Sequence, residues 1–215
     1  NTEEEKKFLM SRFPKTQLNG PIVGVAVDNP ERYRPEQFKR LYSINKPFLL
    51  YIGRIDPAKG CEKLINFFVR LKSLGTFPYK LVLLGKPTME MPKHPDIISP
   101  GFVEEQTKWD ALSACEMLVV PSLWESLSIV LLEAWSSGRP ALVNGGCPVL
   151  VDQCRRAQGG LWYTDRDEFR MAVEEIAGHA GNRLGQQGKK FVKKNYSWPV
   201  IEKTYLDLIR NNEIG

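Results

Sequence analysis

Four short stretches of the chain, PFLLYIG from residue 47, KLVLLG from 80, EMLVVPS from 116 and RPALVNGG from 139, carry apolar runs with almost no polar interruption. A strand with one face in water alternates polar and apolar side chains, so a run without alternation belongs to a strand covered on both faces. Helical periods fill the gaps. CEKLINFFVRLKSLG sets Leu64, Ile65, Phe68 and Leu71 on one face, and EEQTKWDALSACE and SIVLLEAWSSG read as further helices. HPDIISPG and residues 160–163 read as shorter strands. Strands that alternate with helices in this way specify an α/β fold, a Rossmann-like, doubly wound parallel sheet with helices on both sides. From Asp165 onward the chain reads as C-terminal helices, with Met171, Val173, Ile176 and Ala177 in one stretch, Phe191 and Val192 in a second, and Trp198 through Ile209 in a third.

A length of 215 residues suits one domain with a substantial core. Residues 1–20 read as a short helix and a linker broken by Pro14 and Gly20, and the ordered domain is expected over 21–215. The chain begins at Asn1 with neither a signal-like segment nor an initiator Met, as an excised piece would. No apolar run approaches the roughly 20 residues that span a bilayer. The net charge of +5 comes from cations scattered along the sequence, which gives no support to nucleic-acid binding. A mildly basic surface suits phosphorylated ligands or an anionic membrane face, and equally a plain solvated exterior. Cys61, Cys115, Cys147 and Cys154 match neither a CxxC pair nor a disulfide-dense pattern, so reduced thiols and a cytoplasmic setting are expected.

Ligands of open parallel sheets sit beyond the carboxyl ends of the strands, so the loops after strands hold the candidates. GRIDPAKG places Arg54 and Lys59 between Gly53 and Gly60, a seat for a diphosphate or simply two solvated cations. PSLWES leads into a helix whose first amides, around Leu127, Ser128 and Ile129, lack helical partners and also favour an anion. Neither loop is a Walker or GxGxxG motif. Glu125 and Glu133 flank this apolar helix, and their eight-residue separation (133 − 125) spans at most ~12 Å of helix at about 1.5 Å per residue. That disfavours the closer carboxyl pairing of glycosidases and suits hydroxyls at two ends of a long ligand. The alternative is structural: Glu125 caps the helix and Glu133 forms a surface ion pair, for instance with Arg139. Asp165-Arg166-Asp167 has the form of a metal-holding D-x-D, but Asp165 and Glu168 read better as a capping box. His94 and His179 stand apart among turn residues, and surface positions are expected for both.

GRIDPAKG, PGFVEEQTKWDALSACEMLVVPSLWESLSIVLLEAWSSGRPALVNGG and NYSWPVIEKTYLDL resemble the C-terminal, donor-binding half of the family 4 glycosyltransferases, which have the GT-B fold. PIVGVAVDNPERYRP resembles the usual entry to that half, and the likeness runs over roughly residues 21–210. The resemblance implies transfer of a sugar, with retention, from a nucleotide-diphosphate sugar to an acceptor such as a growing polysaccharide or glycolipid. It implies that Arg54 and Lys59 contact the diphosphate and Glu125 the transferred sugar, these three carrying the catalysis. By the same resemblance the main chain at Leu127, Ser128 and Ile129 meets phosphate, Glu133 binds ribose, and the main chain at Val103 meets the base. It further implies that no metal or other cofactor is needed, that a separate N-terminal domain receives the acceptor, and that the chain alone is inactive. The family habit is cytoplasmic, with peripheral membrane association at the inner face. The chain departs from the family at Ser126-Leu127-Ser128, where GFG is usual, at Val149, where Glu is usual, and at Gly85-Lys86-Pro87 in place of G-x-G. These departures bear on sugar identity and loop closure. The rival reading is a non-catalytic nucleotide-sugar-binding or assembly module with the same fold.

Overall fold

In the computed structural model, which describes residues 2–14 and 22–212, six strands form one parallel sheet. They are β1 (Phe48–Ile52), β2 (Lys80–Leu84), β3 (Ile97–Gly101), β4 (Met117–Val120), β5 (Ala141–Asn144) and β6 (Gly160–Tyr163), in the order β3-β2-β1-β4-β5-β6. The chain winds outward from β1 to β3, then returns to lay β4 against the free side of β1. The direction of winding therefore reverses between β1 and β4, which opens a crevice at their carboxyl ends.

The described helices are α1 (Glu3–Arg12), α2 (Pro35–Leu41), α3 (Cys61–Ser73), α4 (Glu105–Ala114), α5 (Ile129–Ser136), α6 (Pro148–Ala157), α7 (Arg166–Glu175), α8 (Gly181–Asn195) and α9 (Trp198–Asn212). Successive strand residues serve opposite layers. Leu50, Leu118 and Val143 pack with Leu112, Leu131, Trp135 and Leu150 of α4, α5 and α6, whereas Leu49, Leu83 and Leu142 pack with Phe68, Leu71, Phe169 and Val173 of α3 and α7. Both faces are thus dry, and this is the physical reason the strand sequences lack alternation.

Two helices, α2 and α6, go unread in the sequence because each begins at a proline. A proline in the first turn starts a helix, since its missing N–H would have no intrahelical acceptor there. In the tail, the buried face is Phe169, Val173, Ile176 and Ala180, while Met171 and Ala177 face outward. A π-helical turn at Ile176–Ala180 joins α7 to α8. The four cysteines are free and buried, and burial pushes the thiols of Cys61 and Cys154 up and that of Cys115 up to about 12, as befits inert packing groups. Among the described residues no helix is long and apolar enough to cross a membrane.

At the opposite edge of the sheet from the crevice, Lys72 of α3 fastens the starts of β2 and β3. Its ammonium lies 2.6 Å from Asp96 Oδ2 and also donates to the carbonyls of Phe77 (2.9 Å) and Tyr79 (3.3 Å). The Lys72 hydrogen bond holds the Asp96 carboxyl below the usual carboxylate range. A depressed folded-state pKa means the unfolded chain takes up the proton first, so this stabilisation is complete above about pH 4 and fades as pH falls through the folded value. Asp96→Asn is expected to cost about 1.5 to 3 kcal/mol at pH 7, the usual worth of a hydrogen bond to a charged group. Thermal melts between pH 3 and 7 should show a flatter acid limb for the variant, and an unchanged limb would exclude the clamp as a source of acid sensitivity.

Candidate functional site

The segments after β1, β4 and β5 converge on one backbone carbonyl, that of Pro121. Asn144, the last residue of β5, donates its Nδ2 to Pro121 O at 2.9 Å while its Oδ1 accepts from Gly146 N at 2.9 Å. Gly60 passes so close that a Cβ there would lie 2.2 Å from the same oxygen, and its φ of +76° is in the left-handed region. Glycine is therefore required for the first loop to lie against the second. Asn144 escapes notice in the sequence, where it is one polar residue at a strand end; its role depends on a partner 23 positions away.

The first loop is internally braced. Tyr51 donates its hydroxyl to Arg54 O at 2.7 Å, and Asp56 caps the short 3-10 turn Pro57–Lys59 by accepting from Ala58 N at 2.8 Å. This brace aims Lys59 across the crevice, with its Nζ 2.9 Å from Glu125 Oε1. Behind them α5 begins at Ile129 with Ser128 as its N-cap, and no side chain caps that end. The Ser128 amide meets Gln153 Oε1 only at 3.4 Å. A hollow of about 220 Å³ results, with Gly53, Lys59, Glu125, Leu127, Ser128 and Ile129 among its walls. A cation, a carboxylate and the positive end of a helix dipole thus face one space.

The remaining candidates, Arg54, Val103 and Glu133, do not line this hollow. Arg54 follows the lining residue Gly53 and has a largely exposed side chain whose Nε is 3.2 Å from Asp56 Oδ2. Val103 follows β3, two strands from the crevice, and is partly buried against the core. Glu133 sits one helical turn beyond Ile129 and is bound by Lys108 of α4, a residue the sequence reading passed over. Lys108 Nζ is 2.6 Å from Glu133 Oε1 and 2.7 Å from Glu105 Oε1, and lies 5.0 Å over the Trp109 ring. Glu125 pairs with Lys59 instead of capping α5. Glu133 does form an ion pair, but a largely buried one with Lys108; Arg139 donates its guanidinium to Ser113 O.

Burial raises the Glu133 carboxyl above its ordinary range, with Lys108 pulling it partly back. Burial would also lower Lys108, but its hydrogen bonds to Glu105 and Glu133 outweigh that and hold it above the usual lysine range. The D-x-D segment is occupied otherwise. Asp165 accepts from Glu168 N at 2.9 Å, Glu168 Oε2 accepts from Thr164 N at 2.7 Å, and Asp167 pairs with Arg166, so Asp165 does cap α7. His94 is half-buried, where a surface position was expected: its ring packs edge-on against Phe68, and its Nδ1 accepts from Asp96 N at 3.1 Å because it closes the turn into β3.

The reversal of strand winding between β1 and β4 defines a doubly wound α/β domain with a crevice at its switch point. Residues 34–191 match the family described as glycosyl transferases group 1, and the chain belongs to that family. It is 26% identical over 181 residues to an uncharacterized glycosyltransferase of Methanocaldococcus jannaschii, an alignment covering 77% of this chain and 45% of that protein. The fold is that of the sucrose-phosphate synthase from Thermosynechococcus elongatus, with a TM-score of 0.79 at 19% identity over 99% of this chain and 57% of the other. It is also that of Anabaena HepE, solved in complex with UDP-glucose, with a TM-score of 0.74 at 12% identity over 89% of this chain and 57% of the other. The Rossmann-like sheet expected from the GT-B resemblance is thus present, and the chain spans about half the length of these proteins.

Proposed function

We propose that this chain is the donor-binding half of a glycosyltransferase that moves a sugar, with retention, from a nucleotide diphosphate to an acceptor hydroxyl. One observation carries the reading: Lys59, Glu125 and the first turn of α5 share a single hollow at the β1/β4 crevice. The HepE complex with UDP-glucose supports a nucleotide-sugar ligand on this fold. An ammonium has three N–H donors, and one of those on Lys59 meets Glu125; an entering diphosphate would take the others. Arg54, exposed and next to Gly53, supplies the second cation. Glu125 accepts from hydroxyls of the transferred sugar, Glu133 keeps a carboxylate oxygen for the ribose, the amides at Leu127, Ser128 and Ile129 meet phosphate, and the main chain at Val103 borders the base.

In the reaction the bond from the anomeric carbon to the diphosphate oxygen breaks, and its electron pair leaves with the diphosphate. The acceptor oxygen forms the new bond on the same face, and its proton passes to the departing phosphate. The negative charge that grows on the leaving group is met by Lys59, Arg54 and the α5 dipole, a pre-arranged electrostatic stabilisation that assigns no step to a metal or other cofactor. A glycan or glycolipid acceptor would be received by a further domain, so the chain by itself binds donor and turns over little. We place this activity in the cytoplasm, at or near the inner membrane face.

Calorimetric titration with UDP, GDP, ADP and their sugar derivatives tests the reading. One of these bases should bind, and Lys59→Ala should weaken that binding about 10- to 100-fold, the equivalent of one charge-assisted hydrogen bond. Absence of binding by all of them, or indifference to the substitution, would end the assignment.

A further inference from the structure

Gln153 of α6 is a buried polar side chain that none of the steps above employs. It is only 4% exposed, its Oε1 stands 3.4 Å from the Ser128 amide, and its buried Nε2 has no hydrogen-bond partner among the described residues. Turning the carboxamide over would not relieve this, because it would set the N–H donors of the side chain against the N–H of Ser128. A buried donor without an acceptor destabilises a fold, so packing alone would be better served here by an apolar side chain of the same length. The contact with Ser128 is also a long one, since N–H···O bonds are usually nearer about 2.9 Å.

The position of Gln153 gives this costly residue a use. Residues 121–128 carry Glu125 and belong to no helix or strand. Asn144 ties the start of that segment through Pro121 O, and Gln153 ties its end through Ser128 N. Between the two ties, Thr2 donates to Ser126 O at 3.0 Å and Lys59 pairs with Glu125. Ser128 lines the hollow and precedes the first turn of α5, which its own hydroxyl does not cap.

We infer that Gln153 is a positioning residue for the diphosphate: it holds the Ser128 amide at the wall of the hollow through an acceptor weak enough for a phosphate oxygen to replace. The inference rests on the donor reading above and adds to it a side chain behind the hollow. A neutral carboxamide suits the task. A carboxylate in its place would grip the amide firmly and repel the incoming anion, and an apolar side chain would leave the segment to be ordered on binding.

The test combines calorimetric titration with UDP-glucose, GDP-glucose and ADP-glucose, thermal melts, and the ¹⁵N–¹H signal of the Ser128 amide. Gln153→Met keeps the length and removes the unpartnered donor, so it should melt at the same temperature as the unaltered chain or higher. Its affinity for the nucleotide sugar that binds should nevertheless fall about 3- to 10-fold, the effect of ordering one more side chain or loop contact on binding. Gln153→Glu should lower that affinity at least 10-fold and move the Ser128 amide signal downfield in the free chain, as a charge-assisted bond does. In the unaltered chain the same signal should move downfield when the nucleotide sugar is added. Should the buried carboxylate prevent folding, Gln153→Met and the amide signal of the unaltered chain decide the question. A Ser128 signal that ignores the ligand would overturn the inference, and so would an affinity that Gln153→Met leaves unchanged. Melting temperature and affinity that fall together in Gln153→Met would also overturn it, by making Gln153 a residue that serves only the fold. If none of the three nucleotide sugars binds the unaltered chain, the donor reading fails and this inference with it; binding that the substitutions do not touch sinks this inference alone.

Discussion

Gly60→Ala is expected to lower the unfolding free energy by about 2 to 5 kcal/mol. A left-handed backbone costs a residue with a Cβ roughly 1 to 2 kcal/mol, and an added methyl pressed into packed backbone costs about 1 to 3 more. The second contribution is the specific one here, because the new Cβ would stand 2.2 Å from Pro121 O. Gly75 provides the control: it has the same φ of +76°, yet a Cβ added there meets nothing within 4 Å. Gly75→Ala should therefore show the conformational cost alone. In a chain of this size each kcal/mol corresponds to about 2 to 4 °C, so the two variants should differ clearly in thermal melts. The clash also forces the Gly53–Gly60 loop away from the β4 segment and takes Lys59 out of reach of Glu125. Gly60→Ala should weaken nucleotide binding and Gly75→Ala should leave it intact. Equal stability of the two variants would show that the loops do not meet at Pro121.

Lys108→Met should destabilise the chain by about 3 kcal/mol or more at pH 7, because it leaves the Glu133 carboxylate charged and partnerless with its side chain only 14% exposed. The sign with pH follows from the direction of the shift. A carboxyl whose folded-state pKa is raised keeps its proton longer in the folded than in the unfolded chain, so stability falls as pH rises from the unfolded value of about 4.3 through the folded one. Without Lys108 the folded value climbs further, and the loss should be larger at pH 8 than at pH 5. Adding Glu133→Gln to Lys108→Met removes the stranded charge and should recover much of the loss and flatten the pH dependence. Denaturant melts of the four-member cycle measure the coupling, and additive effects would mean that the pair contributes nothing. Reduced nucleotide affinity in Lys108→Met would further identify this lysine as the group that positions Glu133.

Unbroken apolar runs such as PFLLYIG and EMLVVPS identify two-sided strands because burial on both faces is written in the local pattern itself. The helix of Leu64, Ile65, Phe68 and Leu71 is legible for the same reason, through its period. Reading failed where the signal was ambiguous locally: Pro35 and Pro148 start helices but look like breakers.

The amino-acid order alone determined that β1 and β4 would be parallel, buried strands and that charged loops would follow them, since each of these is a property of a few neighbouring residues. It also marked Glu125 and Glu133 as carboxylates in need of partners. Which partners they have was decided only by the tertiary structure. Lys59 and Glu125 are 66 positions apart, and Lys108 and Glu133 are 25 apart. Such pairs meet because the chain returns from β3 to the other side of β1, bringing two strand ends and the helices behind them into contact. No local pattern encodes that return; it follows from the way six strands and two helical layers jointly exclude water.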